Sequence, residues 1–158
     1  MPSVRRTYKG RQVQEMLARI GKRLGNLRPV LQSIAEEMFR RARQAFQQER
    51  SPEGVPWPAL TERYARRKLK RFGPRKKLVA GGTLLRGIHR GVDEARGLAF
   101  VSTLDLPYAR IHQLGGRAGR GRRTLIPARP FLPSPATAEK LALEAIEESF
   151  AQAIGGAR

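Results

Sequence analysis

Between Leu27 and Phe46 nine apolar residues fall on one stripe. They are Leu27, Val30, Leu31, Ile34, Ala35, Met38, Phe39, Ala42 and Phe46, separated by steps of three and four. That spacing predicts an amphipathic helix over about 29–48, because an α-helix returns to the same face every 3.6 residues. Pro29 suits its first turn. Glu36, Arg40, Arg43 and Gln47 occupy the opposite, solvated face. A stripe this wide must be covered by another layer, so the chain needs further elements that bring apolar faces to it.

The flanking residues supply them. Val13, Met16, Leu17 and Ile20 mark a shorter helix over 12–24, weakened by Gly21 and Gly25. Ser51 to Pro58 holds three prolines and a glycine and reads as a turn-rich loop. Trp57, the single tryptophan, is read as the anchor that pins this loop to the core. Thr61 to Lys70 reads as a helix with Thr61 near its N-cap. Strands are expected at 86–93 and 97–103, joined by a short turn, with a helical turn at Leu84–Arg86. Tyr108, Ile111 and His112 show helical spacing, closed by Gly115-Gly116. A last helix begins at Ser134-Pro135, with Leu143, Ile146, Phe150, Ala153 and Ile154 as its stripe. The fold class expected is α+β, with N-terminal helices and a C-terminal helix packed on a small antiparallel sheet. One domain over 1–158 is expected, with flexible basic arms at 66–77 and 115–123.

Those arms carry much of an unusual charge. The 158 residues include 32 Lys and Arg against 13 Asp and Glu, a net charge of +19. Residues 50–130 hold 19 cations and five anions, whereas 131–158 hold two and four. A cationic middle and a mildly acidic end suggest separate surfaces for separate partners. Arginine outnumbers lysine 25 to 7. A base-composition bias explains that ratio better than it explains the excess of cations. Polyanions or acidic protein surfaces fit the excess. No apolar run approaches the roughly 20 residues that span a bilayer, so no membrane partner is expected. The basic stretch Met1–Gly10 has no apolar run behind it, and no secretory signal is expected there.

Catalytic constellations are not found. There is no cysteine, and His89 and His112 are the only histidines. The acids stand mostly on helix faces among cations, with Asp93, Glu94 and Asp105 in turns, so no convergent carboxylate pair emerges. His112 reads as a packing or capping residue. Gly115-Gly116-Arg117-Ala118-Gly119 lacks the Gly-Lys-Ser/Thr ending of a phosphate loop. No enzyme, cofactor or metal is expected. The arms could neutralise phosphates without sequence readout. With 6% aromatic residues and none inside the second arm, no stacking platform for single strands is evident.

Four landmarks occur in order: Ser51-Pro52-Glu53-Gly54-Val55-Pro56-Trp57-Pro58-Ala59-Leu60-Thr61, Leu78 to Ile88 with Gly82-Thr83-Leu84-Leu85, Tyr108-Ala109-Arg110-Ile111-His112-Gln113-Leu114-Gly115-Gly116, and Ile126-Pro127-Ala128-Arg129-Pro130-Phe131-Leu132. The series resembles the phage virion morphogenesis family, which includes Mu-like morphogenesis proteins and P2-like tail completion proteins. The resemblance covers roughly 30–150. It implies a structural, non-catalytic protein at the neck or top of the tail, forming a homo-oligomeric ring and meeting other neck and tail proteins. It implies location in the virion, after assembly in the host cytoplasm. Trp57, Tyr108, His112, Gln113, Gly115, Pro127, Arg129, Pro130 and Phe131 are the motif residues expected to serve assembly. Arg66, Arg67, Lys68, Lys70, Arg71, Arg75, Lys76, Lys77, Arg117, Arg120, Arg122 and Arg123 are candidates for contact with a neighbour or with DNA in the channel. The alternative reading is a non-specific nucleic-acid-binding protein acting through the same arms.

Overall fold

A computed structural model describes residues 5–7, 15 and 26–155. The helix expected over 12–24 lies outside the described residues, apart from Glu15, which is helical. The elements are β1 (Arg5–Thr7), α1 (Arg28–Gln48), α2 (Glu62–Phe72), α3 (Thr83–Arg86), β2 (Ile88–Asp93), β3 (Leu98–Thr103), α4 (Ala109–Leu114), β4 (Gly116–Ala118), β5 (Thr124–Ile126) and α5 (Pro135–Gly155). The fold is α+β.

The long stripe behaves as its spacing requires. Val30, Leu31, Ile34, Ala35, Met38, Ala42, Ala45 and Phe46 of α1 are all buried. One side of α1 packs on β2 and β3, and another packs on α5. Glu49 ends the helix in the left-handed region, with φ 55°, and its N–H donates to Ala45 O. On the wet side Glu37 accepts from Arg40 at 2.6 Å and from Arg41 at 2.9 Å. Such exposed pairs contribute little to stability.

The sheet is antiparallel in the order β1-β3-β2. Ile88 pairs with Thr103 and Asp93 with Leu98, so the β2–β3 hairpin is in register through its length. Gly97, at φ 60°, closes the turn by donating to Glu94 O at 3.2 Å. β1 adds to the other edge of β3, with Arg5 opposite Ser102. That strand was not foreseen, because three polar residues carry no alternating pattern. At Gly91 a Cβ would lie 2.5 Å from Phe100 Cζ, so glycine leaves room for that ring over the strand.

The C-terminal helix packs its expected Leu143, Ile146 and Phe150 on the core, and its buried face extends further than that stripe. Its buried residues are Ala138, Leu141, Ala142 and Ile146, while Leu143 and Phe150 are only partly buried. Small alanines at helical spacing let α5 approach α1 closely. Ile146 belongs to both stripes, and the observed one begins two turns before it. The side chains of Ala153 and Ile154 lie outside the described residues. Ser134 caps the helix, its Oγ accepting from Thr137 N at 3.2 Å.

Both basic segments include regular backbone. Arg66 to Arg71 sit on α2, which ends at Phe72. The loop after it is fastened to the end of α1, where Lys76 donates to Gln47 O and Lys77 pairs with Glu49 at 3.7 Å. Residues 116–126 form a two-stranded hairpin, with Gly116 opposite Ile126 and Ala118 opposite Thr124. Gly119 and Gly121, at φ 79° and 66°, supply its tight turn, which is why glycine recurs between the arginines. Among the described residues no helix is long and apolar enough to cross a membrane.

Candidate functional site

The motif residues converge on one place. The loop after α1 makes a small turn in which Ser51 N donates to Val55 O at 2.7 Å and Trp57 N donates to Glu49 O at 2.8 Å. That turn delivers Trp57 to the core, where it is buried and meets Phe46 edge-on at 5.5 Å. Its indole N–H donates to Pro130 O at 2.7 Å. Phe131, the next residue, lies tilted against the same Phe46 ring at 5.4 Å. The anchor reading of Trp57 therefore describes its structure well.

Two polar side chains fasten the segment 128–132. Gln113 is buried on α4, and its Oε1 accepts from Phe131 N and Leu132 N, both at 3.0 Å. Its Nε2 donates to Leu132 O at 3.2 Å. One amide thus satisfies three main-chain groups of a segment that belongs to no sheet. Arg129 is also buried, donating to Pro58 O at 3.0 Å and to Ala59 O at 2.8 Å. Its own N–H donates to His112 O at 2.7 Å. Gly115 follows α4 at φ 74°, and a Cβ there would lie 2.9 Å from Ala128 N. The third and fourth landmarks are thus two sides of one clasp, and the first landmark is what they clasp.

Glu53 completes the junction, and nothing local in the sequence marks it. Its Oε1 accepts from Ser134 N at 2.8 Å and Thr137 Oγ1 at 2.9 Å. Burial alone would raise its carboxyl, but these hydrogen bonds outweigh it and hold the pKa below the usual glutamate range.

Beside the clasp runs a groove of about 490 Å³ between α2, residues 78–84, α4 and the β4–β5 hairpin. Tyr64, Leu78, Tyr108, Ile111, Leu125 and Pro127 line it, with Lys68, His112 and Arg129. The His112 and Tyr108 rings meet edge to face, with centroids 6.1 Å apart. Its Nδ1 is buried with no hydrogen-bond partner among the described residues. Burial pushes the imidazole below its ordinary pKa, and the nearby Arg129 guanidinium adds to the shift. A neutral folded histidine disfavours the protonated state, so its contribution to stability is complete above about pH 6.5 and is lost as pH falls through the lower folded value. Denaturant titrations at pH 7.5 and pH 5 should show wild type losing stability on acidification. A His112→Leu chain should lose less. The Glu53 carboxyl titrates below this window.

The basic candidates separate into two kinds. Arg66, Arg67, Lys70, Arg71 and Arg75 are exposed, as are Arg117, Arg120, Arg122 and Arg123 on the hairpin. Lys68 instead turns inward and is 5% exposed, donating to the carbonyls of Arg75 and Lys76. Lys76 and Lys77 bind main-chain oxygens of Gln47 and Trp57. These three act on the fold itself. A cleft beside the groove is lined by Arg71, Arg75 and Arg86. Among the described residues no group of three or more metal-ligating side chains is found.

The model of the phage virion morphogenesis family matches residues 8–151. A stretch of 52 residues is 54% identical to Mu-like prophage FluMu G protein 2 of Haemophilus influenzae, covering 33% of this chain and 37% of that relative. The match therefore spans little more than a third of the relative's length. No solved structure matches. Matched over most of its length, and carrying the clasp on the residues that suggested the resemblance, the chain belongs to the phage virion morphogenesis family.

Proposed function

We propose that this chain is a ring subunit at the neck or top of the tail, required for tail completion and head–tail joining. Family membership supports a structural part in virion morphogenesis. The ring is carried by one observation, the presence of two exposed faces of opposite charge on one folded chain. α2 and its loop present Arg67, Lys70, Arg71 and Arg75, continued by Arg86. α5 presents Glu144 and, one turn later, Glu147 and Glu148. A head-to-tail contact between such faces closes into a ring when its rotation permits. Arginine suits it, because its planar fork holds carboxylates bidentately.

Negative-stain microscopy and sedimentation of the purified chain test this. Closed rings are expected for wild type, and monomers for Glu144→Lys, Glu147→Lys, Glu148→Lys. Mixing that variant with Arg71→Glu, Arg75→Glu, Arg86→Glu should restore a contact between the two variants. Monomeric wild type at all concentrations would contradict the proposal.

The alternative, non-specific nucleic-acid binding, is favoured by the four exposed hairpin arginines, which make no ion pair among the described residues. Neutralising Arg117, Arg120, Arg122 and Arg123 separates the readings. Unchanged affinity for duplex DNA with impaired tail joining supports assembly.

A further inference from the structure

The groove beside the clasp joins exposed apolar side chains to buried cations. Three of the chain's exposed large apolar residues, Tyr64, Tyr108 and Leu125, border this one depression, at 40%, 40% and 67% exposure. Exposed apolar residues gathered at one concavity mark a binding surface. Two cations also reach its lining from below. Lys68 and Arg129 are 5% and 4% exposed, and both donate to main-chain carbonyls. Glu49, the acid whose field reaches Lys68, is already paired with Lys77. Buried cations without a carboxylate partner leave a positive potential inside an apolar wall.

The geometry points to this groove as the seat of an acidic, apolar-anchored peptide segment from a different protein of the virion. The virion source rests on the assembly reading, whereas the chemistry of the segment rests on the groove alone. Apolar side chains would enter between Tyr64, Tyr108 and Leu125, and carboxylates would meet the field of Lys68 and Arg129. The acidic stretches on α5 and α1 are unsuited to it. The exposed face of α5 offers Glu144, Glu147 and Glu148 but no large apolar residue, and Ile146 is fully buried in its own core. Glu36 and Glu37 are taken by Arg90, Arg40 and Arg41. Residues 8–25 contain five cations and one acid, the wrong sign for this site.

Fluorescence anisotropy on the full chain tests the assignment with three labelled synthetic peptides. The first alternates Glu with Leu and Phe, the second replaces Glu by Lys, and the third replaces Leu and Phe by Ser. Saturable binding of the first alone is expected. Leu125→Glu, at the exposed groove wall, should weaken it about tenfold or more, equivalent to about 1.4 kcal/mol. Leu69→Glu adds the same charge outside the groove at a 58% exposed site and should leave binding within about twofold. Equal binding of the serine or lysine peptide, or equal loss in both variants, would overturn the assignment. So would displacement of the peptide by duplex DNA. Dissociation of chain oligomers by Leu125→Glu without peptide binding would also overturn it, by making the groove an interface between copies. Peptide binding is read whatever the oligomeric state, so a monomer that binds the first peptide sinks the ring and keeps the groove.

Discussion

Gln113→Ala is expected to destabilise the chain by about 3 kcal/mol or more, because each buried main-chain group that loses its partner costs about 1–3 kcal/mol. The amide serves Phe131 N, Leu132 N and Leu132 O, all at buried positions. Water would have to enter a well-packed junction to replace it. Gln113→Met keeps the volume and removes the hydrogen bonds, so it separates the two causes. In equilibrium urea unfolding the loss for Gln113→Met should lie close to that for Gln113→Ala. Near-wild-type stability of Gln113→Met would mean that packing, and not hydrogen bonding, holds the clasp.

Phe131→Ala should cost about 3–5 kcal/mol, the range for emptying a buried aromatic site. The ring is 0% exposed and stacks obliquely on Phe46, which also receives Trp57. Main-chain hydrogen bonds on both sides of it limit collapse into the cavity. In a domain of this size the melting temperature should fall by roughly 10 °C. Leu125→Ala, at an exposed position, should stay within about 0.5 kcal/mol. Phe131→Ala and Trp57→Phe share Phe46 as a neighbour, so their effects should not add. Calorimetry on the two single variants and the double variant measures that coupling.

Much of the fold was legible because local pattern and tertiary role agree. The α1 stripe, Pro29 and the turn-rich loop gave a helix within a residue of its observed start. The β2–β3 hairpin followed from alternation interrupted at Asp93 to Gly97. Where role depends on distant partners, the pattern misled or said nothing. β1 gains its identity only from the edge of β3. The glycine–arginine tract looks irregular, yet its left-handed glycines turn a hairpin. On α5 the sequence offers two apolar stripes, and the small alanines of one suit close approach to α1.

The candidate site shows the same division. The motif residues could be named from sequence, but not the reason they travel together. Gln113 lies 18 residues from Phe131, and Arg129 lies 71 from Pro58. Glu53 reaches a helix start 81 residues away. Lys68 stands in a cationic run and looks like its neighbours, yet it is the one turned inward, because Arg75 and Lys76 offer it carbonyls. The excess of positive charge thus has two destinations. Part fastens loops to the fold, and part faces outward on α2 and the β4–β5 hairpin.

The most direct measurement is cryo-electron microscopy of the intact particle with this subunit located in it. The expected result is a closed ring of copies at the head–tail junction, with α5 of each copy against the arginine cleft of the next. Absence of the chain from purified particles, or copies placed singly away from that junction, would contradict the ring.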